Sequence, residues 1–117
     1  MIYIGLNPRE ITDFDSISRI ERSPFVRIFP DKVEELLGSD YSSCCNQNHK
    51  PVLDIIKRRF GIDVKISTSP MRHRLRKRDQ VIIIMAGNIR RLEYEEKYTA
   101  EELRKSRILF RLYTINK

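Results

Sequence analysis

His49 stands two residues ahead of Pro51, inside the stretch CCNQNHKPVLDIIKRRFG that spans positions 44–61 and ends in the basic triplet Lys57, Arg58 and Arg59. An imidazole changes charge near neutral pH, so it is the side chain best suited to hand a proton to a leaving group or take one from a nucleophile. Pro51 has its φ preset for a first helical turn, and Val52, Leu53, Ile56 and Phe60 recur on one face until Gly61 closes the element. The residue before a proline is pushed out of the helical region, which predicts Lys50 as the flanking cap and His49 just outside the helix. Lysine is a poor cap, and its presence points to a positive surface kept for another purpose. The amides of Val52 and Leu53 then lie at the positive end of the helix dipole, where a phosphate can dock with Lys50 beside it and His49 in reach. The plainer reading is a partly exposed surface histidine at a loop–helix junction. His73, within a basic segment, reads as a surface residue.

The elements that must position these groups follow from pattern. Ile2, Tyr3, Ile4 and Leu6 predict a first strand that ends at Asn7-Pro8. Residues 9–23 are polar and ambiguous. Phe25 to Phe29 alternates as a strand stopped by Pro30, and Asp31 caps a short helix through Leu37 that Gly38 ends. Ile62 to Ile66 alternates as a further strand, followed by a loop and by the basic stretch 71–78, an exposed strand or a mobile arm. Gln80 to Met85 is the most apolar run and β-branched, as expected of a central strand buried on both faces. Thr99-Ala-Glu-Glu102 is a capping-box pattern opening a short helix, and residues 108–113 alternate in a closing strand. The expected fold is α/β (α+β): one domain over residues 1–117, with a mixed central sheet of about five strands and helices packed on it.

The chain has 117 residues and a formal net charge of +7, so its favoured partners are polyanions. Between Lys57 and Arg78 nine basic residues meet one acid, Asp63, whereas Glu93 to Glu102 reverses the sign. A chain this small has a poor surface-to-volume ratio, which favours dimerisation. Cys44 and Cys45 are the only cysteines, and adjacent sulfurs without CxxC spacing make neither a disulfide framework nor a zinc site. No cofactor or metal is expected. The N-terminal segment lacks a signal-peptide pattern and no run reaches the length of a membrane span, so the expected location is the cytoplasm with no membrane partner.

His49 to Gly61 resembles the Gly-His-polar-polar-Thr helix ending in Gly of the small dimeric ring nucleases of archaeal viruses and phages, the type III anti-CRISPR nucleases. The histidine-to-glycine interval matches. The order of other elements is similar too: a first strand ending at an asparagine, here Asn7, and a late apolar strand running into Arg-Leu and acidic residues. The family's Gln-Arg-Leu-x-Glu-Gly reads Asn88-Ile-Arg90-Arg91-Leu92-Glu93-Tyr94-Glu95 here. Asn48 replaces the family's glycine before the histidine, Pro51 and Val52 replace its threonine, and Pro8-Arg9-Glu10 replaces a small-residue and serine pattern.

The resemblance implies a homodimer that degrades cyclic tetra-adenylate, in the cytoplasm of an infected host cell. It implies His49 as general acid, Arg91 and Glu93 as further catalytic residues with Glu95 the alternative acid, and Asn7, Lys50, Val52, Leu53, Arg72 and Arg90 as ligand-binding residues. The chemistry needs no metal, because a ribose 2′-hydroxyl is a built-in nucleophile. The protein has to hold it in line, stabilise phosphorane charge and protonate the 5′-oxygen. The alternative function is a non-catalytic RNA- or DNA-binding protein. Arg72, Arg74 and Arg76 would fall on one side of an extended segment and track a phosphate backbone.

Overall fold

The computed structural model describes residues 1–67, 72–87, 89, 90, 93 and 96–116. Strand β1 (Ile2–Gly5) runs into two helices, α1 (Pro8–Ile11) and α2 (Phe14–Arg22), then β2 (Phe25–Ile28), α3 (Pro30–Leu37) and β3 (Tyr41–Ser43). A 3-10 turn (Gln47–His49) leads straight into α4 (Lys50–Phe60); β4 (Gln80–Gly87), α5 (Ala100–Lys105) and β5 (Arg107–Thr114) complete the chain. The five strands form one sheet in the order β2-β5-β4-β1-β3. Its β1 is parallel to β3 and β4, while β5 is antiparallel to β4 and β2, so the sheet is mixed as expected.

Two cores sandwich the sheet. Side chains alternate along a strand, and in β4 this sends Ile82 and Ile84 to one face and Val81 and Ile83 to the other, all four buried. The first face packs Ile4, Phe110 and Leu112 with Val33 of α3, Leu53, Ile55 and Ile56 of α4 and Leu103 of α5. The second packs Tyr3 and Val81 with Ile11 of α1, Ile20 of α2, Leu75 and Ile115. Burial on both sides is why the β4 sequence reads as an unbroken apolar run.

Several expectations are corrected. The third strand in sequence is not Ile62–Ile66 but Tyr41–Ser43, which pairs with β1. Ile62 and Val64 are buried and Asp63 and Lys65 exposed, so the alternation is real. It arises because Ile62 and Val64 join the first core while the segment runs beside β3 without pairing into the sheet, the Ser43 hydroxyl donating to the Lys65 carbonyl and the Lys65 amide to the Tyr41 hydroxyl at 3.3 Å. Phe29, not Asp31, is the N-cap of α3, and it makes no side-chain cap bond; Pro30 sits inside the first turn. The ambiguous stretch 9–23 forms α1 and α2, capped by the side chains of Asn7 and Asp13. Gly61 has φ +71° and ends α4 as its left-handed C-cap. Thr99 and Glu102 form the expected capping box at α5.

Residues 72–79 are neither a strand of the sheet nor a loose arm. Leu75 is buried, the Arg19 guanidinium donates to its carbonyl, and Asp79 accepts from the Arg76 amide at 2.8 Å. Arg72, Arg74 and Arg76 remain exposed on the opposite side. His73 is half-buried rather than a surface residue: its ring lies 4.5 Å from that of Tyr3 and 3.3 Å from the Ser42 hydroxyl. Burial holds its pKa below the ordinary histidine value, against an upward pull from Asp79. Among the described residues, no helix is long and apolar enough to cross a membrane.

Candidate functional site

Because β1, β3 and β4 are parallel, the segments leaving their carboxyl ends gather at one edge of the sheet, the usual location of a site in such folds. After β1, Asn7 caps α1 by accepting the Arg9 amide proton at 3.0 Å, and this places Glu10 in the first turn. A side chain at Gly5 would meet Ile11 at 2.9 Å, so the glycine lets α1 settle directly on the strand end. After β3, Asn46 caps the 3-10 turn, its side chain accepting from the Asn48 amide at 2.9 Å.

These two caps bring Glu10 and His49 together. The His49 Nδ1 accepts the Asn46 amide proton at 3.3 Å, and its Nε2 lies 3.4 Å from Glu10 Oε2. The Asn46 side-chain amide donates to the same carboxylate oxygen at 3.2 Å. With Nδ1 occupied as an acceptor, the neutral ring carries its proton on Nε2 and directs it at Glu10. The His49 side chain retains 17% exposure and that of Glu10 35%, so the pair is sheltered but reachable from solvent. An imidazole oriented through both nitrogens, with a carboxylate on one of them, is an arrangement suited to proton transfer.

His49 is itself the N-cap of α4, with φ −89° and ψ −1°, and Lys50 is already helical with φ −50° and ψ −43°. This corrects the expectation that Lys50 caps the helix. The capping work is done three residues upstream by Asn46, and the continuous 3-10 turn overrides the pre-proline bias. Lys50 reaches forward along the helix to Asp54 at 3.2 Å. Val52 is half-buried and the Leu53 side chain belongs to the core; with His49 as N-cap, Leu53 is the fourth residue of α4 and its amide falls within the helix ladder, so of the two expected amides only that of Val52 lies in the first turn.

The other expected residues fall into different neighbourhoods. Arg72 is exposed in the basic segment. Arg90 is gripped by Glu96 at 2.9 Å and by Glu102, with its guanidinium 5.9 Å from the Tyr98 ring centre. The hydrogen bonds that Arg90 donates to Glu102 and then to Glu96 push its pKa further up, and both carboxyls are held below their ordinary value. Glu93 donates its amide proton to the Glu96 carboxylate at 2.9 Å. Among the described residues, none of the hydrogen bonds or ion pairs of His49 is to Arg90 or Glu93. Arg91, Tyr94 and Glu95 lie outside the described residues.

A cleft of about 470 Å³ borders this acidic group, lined by Ile55, Arg90, Tyr98, Glu102 and Lys105 among others, and His49 is not part of its wall. Both cysteines are buried; burial raises Cys44 to about 12 and Cys45 to about 11, so each stays a thiol at neutral pH. Sequence reasoning missed Glu10 and Asn46. The signal was there in part: Asn7-x-x-Glu10 and Asn46-x-x-His49 share one cap-to-third-residue spacing, and His49 folds back onto its cap while Glu10 reaches across to Asn46 and His49.

No family model and no curated protein matches the chain. Among solved structures the chain is similar to B116 of Sulfolobus turreted icosahedral virus (STIV), with TM-score 0.59 and 12% identity over 96% of this chain and 97% of that one. At that identity the likeness is one of fold.

Proposed function

We propose that the protein is a metal-independent ring nuclease that opens cyclic tetra-adenylate by attack of a ribose 2′-hydroxyl on the adjacent phosphodiester, and thereby suppresses type III CRISPR signalling. The observation that carries this reading is the pair formed by His49 and Glu10 at the carboxyl edge of the parallel strands. A phosphodiester settles against the amino end of α4, near Asn7 and Lys50, with the Val52 amide turned to it. As the 2′-oxygen bonds to phosphorus its proton passes to the Glu10 carboxylate; the bond to the 5′-oxygen breaks, and His49 in its imidazolium form gives that oxygen the Nε2 proton and returns to the neutral ring. The neutral ring that results is the form in which Nδ1 accepts the Asn46 amide proton, which fixes its orientation between turnovers. Arg91, by the resemblance, offsets charge on the phosphorane, with Glu93 beside it and Arg90 and Arg72 drawing in the ring.

A homodimer suits a cyclic ligand with repeating nucleotides, because a two-fold axis presents equivalent phosphates to two copies of His49. The similarity in fold to a viral protein is in keeping with a viral origin. The alternative reading, a non-catalytic nucleic-acid binder, is favoured by one specific observation: Arg72, Arg74 and Arg76 are exposed together on a segment anchored by buried Leu75.

Incubation with cyclic tetra-adenylate in EDTA tests the proposal. Wild type is expected to linearise the ring, with His49→Ala slower by on the order of 10²- to 10⁴-fold. Glu10→Ala, which frees the imidazole to rotate, is expected to lose up to about 10²-fold. Absence of cleavage by wild type, or equal rates in all three proteins, rejects the enzymatic reading; binding without turnover leaves a sequestering protein.

A further inference from the structure

The helical cover on the second face of the sheet stops short. Strand pairing puts Phe25, Tyr113 and Val81 in one cross-strand row, Arg27, Arg111 and Ile83 in the next, and Leu109 and Met85 in a third, all on that face. The core beneath α1, α2 and Leu75 includes Val81 and Ile83. Beyond it, Phe25, Phe29, Met85 and Leu109 stay 39–56% exposed.

Two features set this surface apart from an ordinary bare sheet. Arg27 and Arg111 are directly opposite each other on adjacent strands, a like-charge pair that works against the sheet. Among the described residues neither has an acidic partner, and no carboxylate belongs to these rows. The guanidiniums instead lie over aromatic rings: Arg111 4.7 Å from the Phe25 centre and Arg27 4.7 Å from that of Phe29. Phe25 in turn sits 5.1 Å from Tyr113. Planar groups thus alternate with positive charge across the exposed strands.

We infer that the exposed face of β2, β5 and β4 binds single-stranded nucleic acid, its bases stacking on the Phe25 and Phe29 platform and its phosphates meeting Arg27 and Arg111. Stacking on aromatic rings and pairing of phosphates with guanidiniums are the two contacts by which unpaired strands are held without sequence preference. A polyanion also relieves the repulsion between the two arginines. A second copy on the same face would double it, which is why a nucleic acid is the better occupant. The inference does not depend on the His49 reading.

The test is fluorescence anisotropy of the full chain with a labelled ten-nucleotide RNA, the matching DNA strand, and their duplex forms. Single strands are expected to bind more tightly than duplexes, with RNA and DNA compared to show whether the sugar matters. Phe29→Ala is expected to weaken single-strand binding about 5- to 100-fold. The double change Arg27→Gln with Arg111→Gln is expected to reduce the salt slope of log affinity by about 1.4. Thermal melts of each variant establish that it is folded. Equal binding of duplex and single strand, or variants that bind like wild type, overturns the inference and moves the contact to the Arg72–Arg76 stripe. Sedimentation showing that wild type is a dimer and Phe29→Ala a monomer overturns it in favour of a second copy on this face.

Discussion

At the scale of single residues, the two histidines have exchanged the environments their sequence neighbours suggest. His49, beside a helix of high positive charge, is tied to a carboxylate and a backbone amide. His73, flanked by arginines, is tucked against Tyr3 and Ser42 and kept neutral by burial. A histidine whose folded pKa is depressed protonates more readily in the unfolded chain. Its contribution to stability is therefore complete above the unfolded value, near 6.5, and is lost as pH falls through the lowered folded value. The groups facing it are Tyr3, Ser42 and Asp79, the last opposing the shift. Urea denaturation is thus expected to show stability declining from about pH 6.5 downward, and His73→Gln is expected to flatten that decline. An unchanged slope in the variant would mean the ring is not held away from water.

At the scale of elements, chain reversals depend on a few backbone positions. Gly61 is left-handed with open space around its α-carbon, so Gly61→Ala costs backbone strain alone, on the order of 1 kcal/mol by chemical denaturation. A cost near zero would show that α4 can end another way. The helices α4 and α5 and the strands from Phe25 and Gln80 were legible from periodicity, helped by Pro51 and Gly61 at the ends of α4 and by the Thr99 capping box of α5, while the cap of α4 itself was not. Strand β3 was not, since three residues of Tyr-Ser-Ser carry no alternation and form a strand only because β1 offers an edge. Ile62–Ile66 had the alternation and lies beside the edge strand β3, but meets the side chains of Tyr41 and Ser43 instead of the strand's backbone. Period two reports two unlike faces, and a segment with one side in the core and the other in water has those without pairing as a strand.

At the scale of the whole molecule, charge is sorted into separate surfaces. Glu96 and Glu102 close on Arg90, whereas among the described residues the side chains of Arg72, Arg74 and Arg76 and those of the Arg27–Arg111 pair make no ion pair. The cross-strand arginines set stability against binding. Arg111→Glu converts a repulsive pair into an attractive one and is expected to stabilise the fold by about 0.5 kcal/mol, read as a small rise in melting temperature. The same change is expected to abolish single-strand binding to that face. A fall in melting temperature would indicate that the packing of Arg111 on Phe25 outweighs the repulsion.

By itself the sequence determined the fold class, the doubly buried central strand, the helix from Pro51 to Gly61 and the placing of a histidine at its amino end. These follow from patterns that a chain carries over ten or so neighbouring residues. Only the tertiary structure decided what that histidine touches. Glu10 is far from it along the chain and meets it because β1 and β3 are parallel neighbours whose carboxyl ends open at the same edge. Likewise, Arg27 and Arg111 become a pair through antiparallel register between β2 and β5. Strand partnership is a long-range choice made by burial of the whole sheet, and no local pattern encodes it.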